Sequence, residues 1–444
     1  MSGIRIGNSL TEIEQIMKSI SIYIHIPFCV KKCQYCDFLS APADSRAQKV
    51  YLCALKQEIR EQAARYREYE VQTVFIGGGT PTAVPFEELC RVLETVFSCY
   101  KVSPQAEISM EANPGTVTKE ALLAYRKAGI NRLSIGLQSA DDGELKLLGR
   151  IHTYGDFLQT YRWAQEAGYT NINLDVMSAL PGQSVENYKK TLETVLSLKP
   201  QHISAYSLIV EEGTPFYEKY GQESEQLQAT GEKQPDLPSE EEEREMYALT
   251  ERILAEAGYH RYEISNYALP GRECRHNLVY WKRDNYVGFG LGAASMVENV
   301  RFENTREMQE YLAEYADAPE AEEVFAEVAQ GDEQELSKEQ VLSLREDAHS
   351  ENEQELAIRE NVHPLSQEEQ MEETMFLGLR LTEGVSKAEF QRQFGVFMEE
   401  IYGEVIRENT AKGLLVDEAG YVRLTREGMD LSNYVMAQFL LDED

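Results

Sequence analysis

Six short apolar runs, each followed by a segment of helical period, restrict the first half of this chain to a wound parallel sheet. The runs occupy 21–26, 73–76, 106–110, 132–135, 171–176 and 202–208. Between them lie stretches such as Phe86-Glu-Glu-Leu-Cys-Arg-Val-Leu-Glu-Thr-Val-Phe97, with apolar residues three and four apart. Crossover helices are the usual way to join parallel neighbours, so the alternation predicts an α/β fold. Six such units make an open or partial barrel, in which the C-terminal ends of the strands face one shared site. The Gln/Glu-rich stretch 217–245, which contains Pro235 and Pro238, ends the repeat and is expected as a mobile loop over the open side.

The first run leads through Pro27-Phe28 into Cys29-Val-Lys-Lys-Cys33-Gln-Tyr-Cys36. This spacing supplies three thiolates, whereas a structural zinc site is closed by a fourth Cys or His. His25 and Cys53 are the nearest candidates for that role, and neither has a characteristic spacing. A [4Fe-4S] cubane held by three cysteines leaves one iron open to a non-protein ligand. Seven cysteines, an odd number with three clustered, fit a reducing cytoplasm better than a disulfide framework. Cys53, Cys90 and Cys99 fall within helical patterns and read as small buried hydrophobes; Cys274 stands apart.

The length of 444 residues allows two or three domains. No apolar run reaches the ~18 residues of a membrane span. Residues 1–20, with Arg5, Glu12, Glu14 and Lys18, lack a signal-peptide core and are expected as an N-terminal arm. A net charge of −33 opposes nucleic acid as a partner, because the phosphate backbone is repelled. Residues 311–370 carry 18 Asp and Glu against 3 Lys and Arg. A solvated acidic connector is therefore expected over 301–370, and a docking surface for a basic partner is the second reading.

Candidate ligands recur at successive strand ends. The second run continues into Gly77-Gly78-Gly79-Thr80-Pro81, where glycines let a ligand approach the backbone. The third continues into Glu111-Ala-Asn113-Pro114-Gly115, placing a carboxylate to accept from a ribose or an ammonium, or to cap the next helix. The fourth leads to Gln138 and then to Leu148-Gly149-Arg150-Ile-His152; the fifth contains Asp175. Gln138 offers a donor and an acceptor, Arg150 a carboxylate-binding fork, and Asp175 an acceptor for a ribose hydroxyl.

Taken in order, Tyr-Ile-His-Ile-Pro-Phe-Cys at 23–29, Gly-Gly-Gly-Thr-Pro-Thr at 77–82, Glu-Ala-Asn-Pro-Gly-Thr at 111–116, Ile-Gly-Leu-Gln-Ser at 135–139 and Leu-Gly-Arg-Ile-His at 148–152 resemble one family. It is the oxygen-independent coproporphyrinogen III oxidase-like family of radical-SAM proteins, and the resemblance covers 21–300 and resumes near 370. The resemblance implies a partial (β/α)6 TIM-type radical-SAM barrel with a [4Fe-4S] cluster on Cys29, Cys33 and Cys36. It further implies S-adenosylmethionine (SAM) on the open iron, surrounded by Tyr23, Tyr35, Gly78, Gly79, Thr80, Glu111, Gln138, Arg150 and Asp175.

Two features divide that family. Its oxidases carry C-x3-C-x2-C-x-C and a longer N-terminal arm; here Phe38 stands at the fourth cysteine's position and only 20 residues precede the first run. Cys274-Arg-His276-Asn277-Leu-Val-Tyr280-Trp281 resembles the H-N-x-x-Y-W motif of the heme-chaperone branch, HemW. The resemblance therefore implies a cytoplasmic chaperone that binds heme and passes it to apo-hemoproteins of the respiratory chain. The alternative is the oxidase reaction, oxidative decarboxylation of coproporphyrinogen III to protoporphyrinogen IX. His276 is a candidate heme ligand, with Tyr280 and Trp281 to cover a porphyrin face and Cys274 as an alternative soft ligand; the same residues could equally serve packing. A low-potential donor such as flavodoxin or ferredoxin is implied if SAM is cleaved, and transient membrane-protein contact and a homodimer are compatible with the resemblance. Beyond 371, a helix-period stretch at 375–381 and two strand-like runs around Glu418-Ala-Gly420 predict a small winged-helix-like domain, 371–444.

Overall fold

The computed structural model describes residues 17–221, 236–315 and 358–441. Six parallel strands lie side by side in chain order: β1 (Lys18–Ile26), β2 (Tyr69–Gly78), β3 (Lys101–Ala112), β4 (Arg132–Gln138), β5 (Ile172–Ser178) and β6 (His202–Ser207). Helices such as Ser45–Gln62, Phe86–Cys99, Lys119–Lys127, Tyr154–Glu166 and Val185–Leu198 make the crossovers. The expected partial (β/α)6 barrel is therefore present.

The strands owe their placement to a period of two. Ile20, Ile22, Ile24 and Ile26 of β1, Val74 and Ile76 of β2, and Leu133, Ile135 and Leu137 of β4 share one core with Leu52, Leu55, Leu89 and Leu93 of the helices. The alternate positions are polar: Thr73, Glu107, Ser109, Glu111, Arg132, Ser134, Gln138, Asn173, Asp175, His202 and Ser204. Barrel interiors of this class are ordinarily filled by layers of Val, Ile and Leu. Here the inward phase holds hydrogen-bonding groups and leaves room for a ligand.

The sheet extends beyond the six. On the β6 side follow β8 (Asn266–Ala268) and β7 (His260–Arg261), both antiparallel. On the β1 side lie β9 (Tyr286–Phe289), parallel to β1, then the antiparallel β10 (Ala294–Val297), β11 (Val300–Asn304) and β12 (Arg359–Pro364). This corrects the expected connector: 301–304 and 359–364 are paired strands of the main sheet, and Met308–Glu314 is a helix packed on Ser45–Gln62. The rest of the acidic segment, 316–357, lies outside the described residues, as do most of the expected N-terminal arm and 222–235 of the expected mobile loop.

The C-terminal unit packs helices Gln367–Gly378, Lys387–Phe394 and Met398–Ala411 on a three-stranded sheet of β13 (Val385–Ser386), β14 (Leu415–Glu418) and β15 (Tyr421–Leu424). Ala419 and Gly420 both have positive φ, the conformation that a two-residue hairpin turn requires. Met375, Phe390, Tyr402, Val422 and Phe439 form its separate core. The unit docks on the main sheet through Glu373, whose carboxylate accepts from Arg283 Nε at 2.8 Å and Arg301 Nε at 2.7 Å. No helix of the described residues is long and apolar enough to cross a membrane.

Candidate functional site

A cavity of about 490 Å³ opens at the C-terminal ends of β1–β6. It is lined by Cys29, Cys33, Tyr35, Cys36, Gly78, Gly79, Thr80, Glu111, Gln138, Arg150 and Asp175, so eleven of the thirteen candidates for the cluster, SAM and the heme-ligating histidine meet on one surface. Tyr23 and His276 are the exceptions.

The cysteine loop is pinned from three directions. Cys29 N–H donates to Ala41 O at 3.1 Å, and Ala41 N–H donates to Pro27 O at 3.0 Å. Gly79 and Thr80 donate their backbone N–H groups to Ile26 O (2.8 Å) and Phe28 O (2.7 Å), so the glycine segment runs directly against the loop. A Cβ on Gly79 would sit 2.7 Å from Phe28 O, and one on Gly78 would sit 2.6 Å from the His25 ring. The glycines are thus required by close approach, and Gly78 also by a φ of +114°. At the far end, Gln34 N–H donates to Leu148 O at 3.0 Å and Phe216 N–H to Gln34 O at 2.9 Å.

Two donors reach the sulfurs. Thr80 Oγ1 donates to Cys29 Sγ at 3.4 Å and Arg150 Nη1 to Cys33 Sγ at 3.5 Å. Such contacts stabilise thiolates, which ligate metals. Burial pushes the free Cys36 thiol up to about 11. Among the described residues no three His, Cys, Asp or Glu side chains converge on a single metal position. A cubane requires no such convergence, because each thiolate ligates its own iron. Residues, spacing and donors fit a three-cysteine cluster.

Glu111 and Asp175 lie across from the loop. Gly78 N–H donates to Glu111 Oε2 at 3.2 Å, yet burial, reinforced by the Asp175 charge, pushes Glu111 up to about 8. Burial also raises Asp175, against hydrogen bonds from Asn173 Nδ2 (2.7 Å) and Ser134 Oγ (3.3 Å). Gln138 has a left-handed φ of 71° at the end of β4 and accepts from Tyr206 OH at 2.9 Å. Arg150 Nη2 donates to Asn113 Oδ1 and Gly136 O, both at 2.8 Å, which fixes its guanidinium beside Cys33. The rim is amphipathic: Phe38 and Ile209 are 61 % and 67 % exposed and line the cavity together with Lys31 and Lys32.

Tyr23 lies one layer back. Its hydroxyl donates to His25 Nδ1 at 3.0 Å, the His25 Nε2–H donates to Leu39 O at 2.9 Å, and its ring stacks on Phe75, which does line the cavity. His25 thereby ties β1 to the end of the cysteine loop instead of closing a zinc site.

His276 lies away from the cavity, in the packing arrangement that the sequence left open beside heme ligation. It is buried, with Nδ1 2.6 Å from Thr73 Oγ1, Nε2 2.9 Å from Tyr280 OH and its ring stacked on Phe75. Both nitrogens are engaged, and neither is presented to an iron in this conformation. Tyr280 packs edge-on against Tyr286, and Trp281 lies under the Arg380 guanidinium at 4.3 Å. Cys274 is fully buried, with its thiol near Glu107 and pushed up to about 12 by burial. The member of this motif that does reach the cavity is Asn277. Sequence reasoning gave no role to Arg132, Asn113 or Tyr206. Arg132 shares the two-residue phase of Gln138 along β4, a signal that could have found it.

Comparison with known proteins agrees with this geometry. Residues 23–195 match the radical SAM superfamily and 365–431 the HemN C-terminal domain. The chain is 36 % identical to heme chaperone HemW of Bacillus subtilis over 95 % of its own length and 99 % of that protein's. It is 32 % identical to heme chaperone HemW of Lactococcus lactis over 96 % and 99 %. In structure it resembles coproporphyrinogen III oxidase (HemN) from Escherichia coli, with a TM-score of 0.75 at 21 % identity, over 96 % of this chain and 91 % of that one; this likeness concerns the fold. The identity to these relatives over nearly the whole chain establishes that it belongs to the HemW family of radical SAM proteins.

Proposed function

We propose that this protein is a heme chaperone: it binds heme, a [4Fe-4S] cluster and SAM, and delivers heme to apo-hemoproteins of the respiratory chain. The observation that carries this reading is Phe38. At the position where oxidases of the resembling family have a fourth cysteine, this chain turns an apolar ring, 61 % exposed, to the cavity mouth. The names of relatives that align over nearly the whole chain support the same reading.

A cluster and SAM, when bound, would supply a one-electron centre and a reductively cleavable sulfonium. The chain's own groups have separate tasks. Cys29, Cys33 and Cys36 would hold the irons, with Thr80 and Arg150 donating to two of the sulfurs. Gly78 and Gly79 let backbone come close to the methionyl end, and Arg150, whose Nε–H has no partner, offers a cation and a donor to its carboxylate. Glu111, Gln138 and Asp175 offer acceptors to the amine and ribose, and Tyr35 closes the loop side against Phe216. Tyr23 supports this wall through Phe75. The rim sets apolar Phe38 and Ile209 among polar neighbours, which suits the flat apolar face of a macrocycle. For His276 to serve as the iron ligand it must give up its bonds to Thr73 and Tyr280.

The setting proposed is the cytoplasm, with brief contact to membrane-bound clients, a flavodoxin or ferredoxin as donor if SAM is cleaved, and a homodimer as the compatible assembly. The test is parallel titration of the anaerobically reconstituted protein with heme and incubation with coproporphyrinogen III, SAM and dithionite. Saturable one-to-one heme uptake without porphyrinogen turnover is expected. Accumulation of protoporphyrinogen IX would instead make the protein an oxidase.

A further inference from the structure

We propose that the floor of the cavity is a carboxylate-binding subsite built on Arg132, and that it receives a propionate of the tetrapyrrole. The inference rests on the heme reading above and adds to it a residue and a chemistry.

Arg132 opens β4, is 2 % exposed to solvent, and lines the cavity. Its Nε has no hydrogen-bond partner. Around it lie the neutral Cys274 thiol and Tyr262 phenol and the carboxyl groups of Glu107 and Asp175, none of them hydrogen-bonded to it. The two carboxylates among them are engaged elsewhere. Glu107 accepts from the backbone N–H groups of Arg275 (3.3 Å) and His276 (3.2 Å), which seats the helix Arg275–Trp281. Asp175 is held by Asn173 and Ser134. A guanidinium taken out of water without a directly bonded anion is expensive, and a carboxylate that arrives as a bidentate partner relieves that cost.

The surroundings are polar as well. Ser265, Asn266 and Asn277 line the same floor. Asn266 Nδ2 donates to Glu263 Oε1 at 2.6 Å, which leaves Oδ1 buried and unpartnered; a water carried in with the carboxylate can donate to it. This floor is distinct from the fork beside the cysteine loop. Arg150 is anchored at the Gly136 carbonyl, and the backbones of Gly136 and Arg132 lie four residues apart along β4, about 13 Å at ~3.3 Å per strand residue. Arg150, held by Asn113 and Gly136, serves the methionyl end, and Arg132, buried without a hydrogen-bonded partner, remains for a second carboxylate.

The experiment uses the full-length chain with its cluster reconstituted anaerobically. Wild type and Arg132→Gln are titrated with heme, with heme dimethyl ester (both propionates masked) and with SAM. The expected result is a loss of about tenfold or more in heme affinity, the scale of one charge-assisted hydrogen-bonded pair. The affinities for the dimethyl ester and for SAM stay at their wild-type values, and Arg132→Lys recovers part of the loss. Equal losses for heme and ester, no loss for heme, or a loss confined to SAM would each overturn the proposal. Should Arg132→Gln fail to fold, Asn277→Asp tests the same point, because a new negative charge on the floor must repel heme more than its ester. Absence of heme uptake by the wild type would sink the chaperone reading itself. Uptake that is insensitive to both variants would sink the subsite alone.

Discussion

Replacing Gly79 by Ala tests whether the glycine segment and the cysteine loop form one ligand cradle. The added Cβ would lie 2.7 Å from Phe28 O and 2.9 Å from Ser40 Cβ. Neither neighbour is the tip of a flexible side chain, and the segment cannot drift away, because Gly79 and Thr80 are bonded to Ile26 and Phe28. Relief must therefore move Phe28, and Cys29 is the next residue. Overpacking of this kind costs about 1–3 kcal/mol. Gly168→Ala is the matched control. Its φ is +86°, nothing lies within 4 Å of the new Cβ, and the residue is exposed after the helix Tyr154–Glu166. The left-handed backbone alone costs about 1–2 kcal/mol there. Both variants should lose a few degrees of Tm, but only Gly79→Ala should lose iron and sulfide per chain after identical anaerobic reconstitution. Wild-type loading of Gly79→Ala, or an equal loss in Gly168→Ala, would refute the cradle.

Three further outcomes follow from the same geometry. Burial raises Glu111 from 4.5 to about 8, so between those pH values the folded protein keeps a proton that the unfolded chain has released, and stability falls as pH rises through that window. Glu111→Gln should therefore gain stability over wild type between pH 5 and 8 in urea unfolding; a pH-independent difference would contradict it. Glu373→Ala removes the shared partner of Arg283 and Arg301, of which Arg283 is almost wholly buried, and should cost about 3 kcal/mol and raise hydrogen exchange across 367–441. A loss within the ~0.5 kcal/mol of a surface pair would mean that the domains dock by other contacts. His276→Ala leaves Thr73 and Tyr280 without their shared partner and should cost about 2–3 kcal/mol; unchanged denaturant midpoints would show that the motif is not sealed as described.

The parallel strands were legible because each combines an apolar phase, packed on helices, with a polar phase facing inward. The cysteine loop and the Gly77–Thr80 segment were legible because each directly follows such a strand. The flanking strands were not. β8 has three residues and β12 reads Arg-Glu-Asn-Val-His-Pro, so their pairing is decided by distant partners and hidden by local acidity. Arg132 reads as an ordinary surface cation; in the fold it is buried near Tyr262 and Cys274, 130 residues and more away in the chain, a neighbourhood that local sequence does not show. His276 is a residue whose sequence reading stayed divided between ligation and packing, because only the fold shows that Thr73 and Tyr280, distant and near in the chain, engage both of its ring nitrogens.

The chaperone claim is tested most directly by transfer. Heme-loaded protein, cluster intact, is mixed anaerobically with an apo-hemoprotein of the respiratory chain, and the client's absorbance is followed against free heme at the same concentration. The account predicts that the client gains its native spectrum as this protein loses its own, with no porphyrin product and with loss of transfer in a Cys29→Ala, Cys33→Ala, Cys36→Ala triple variant. Heme retained indefinitely, or transfer no faster than from a heme-loaded protein of unrelated fold and like charge, would contradict it.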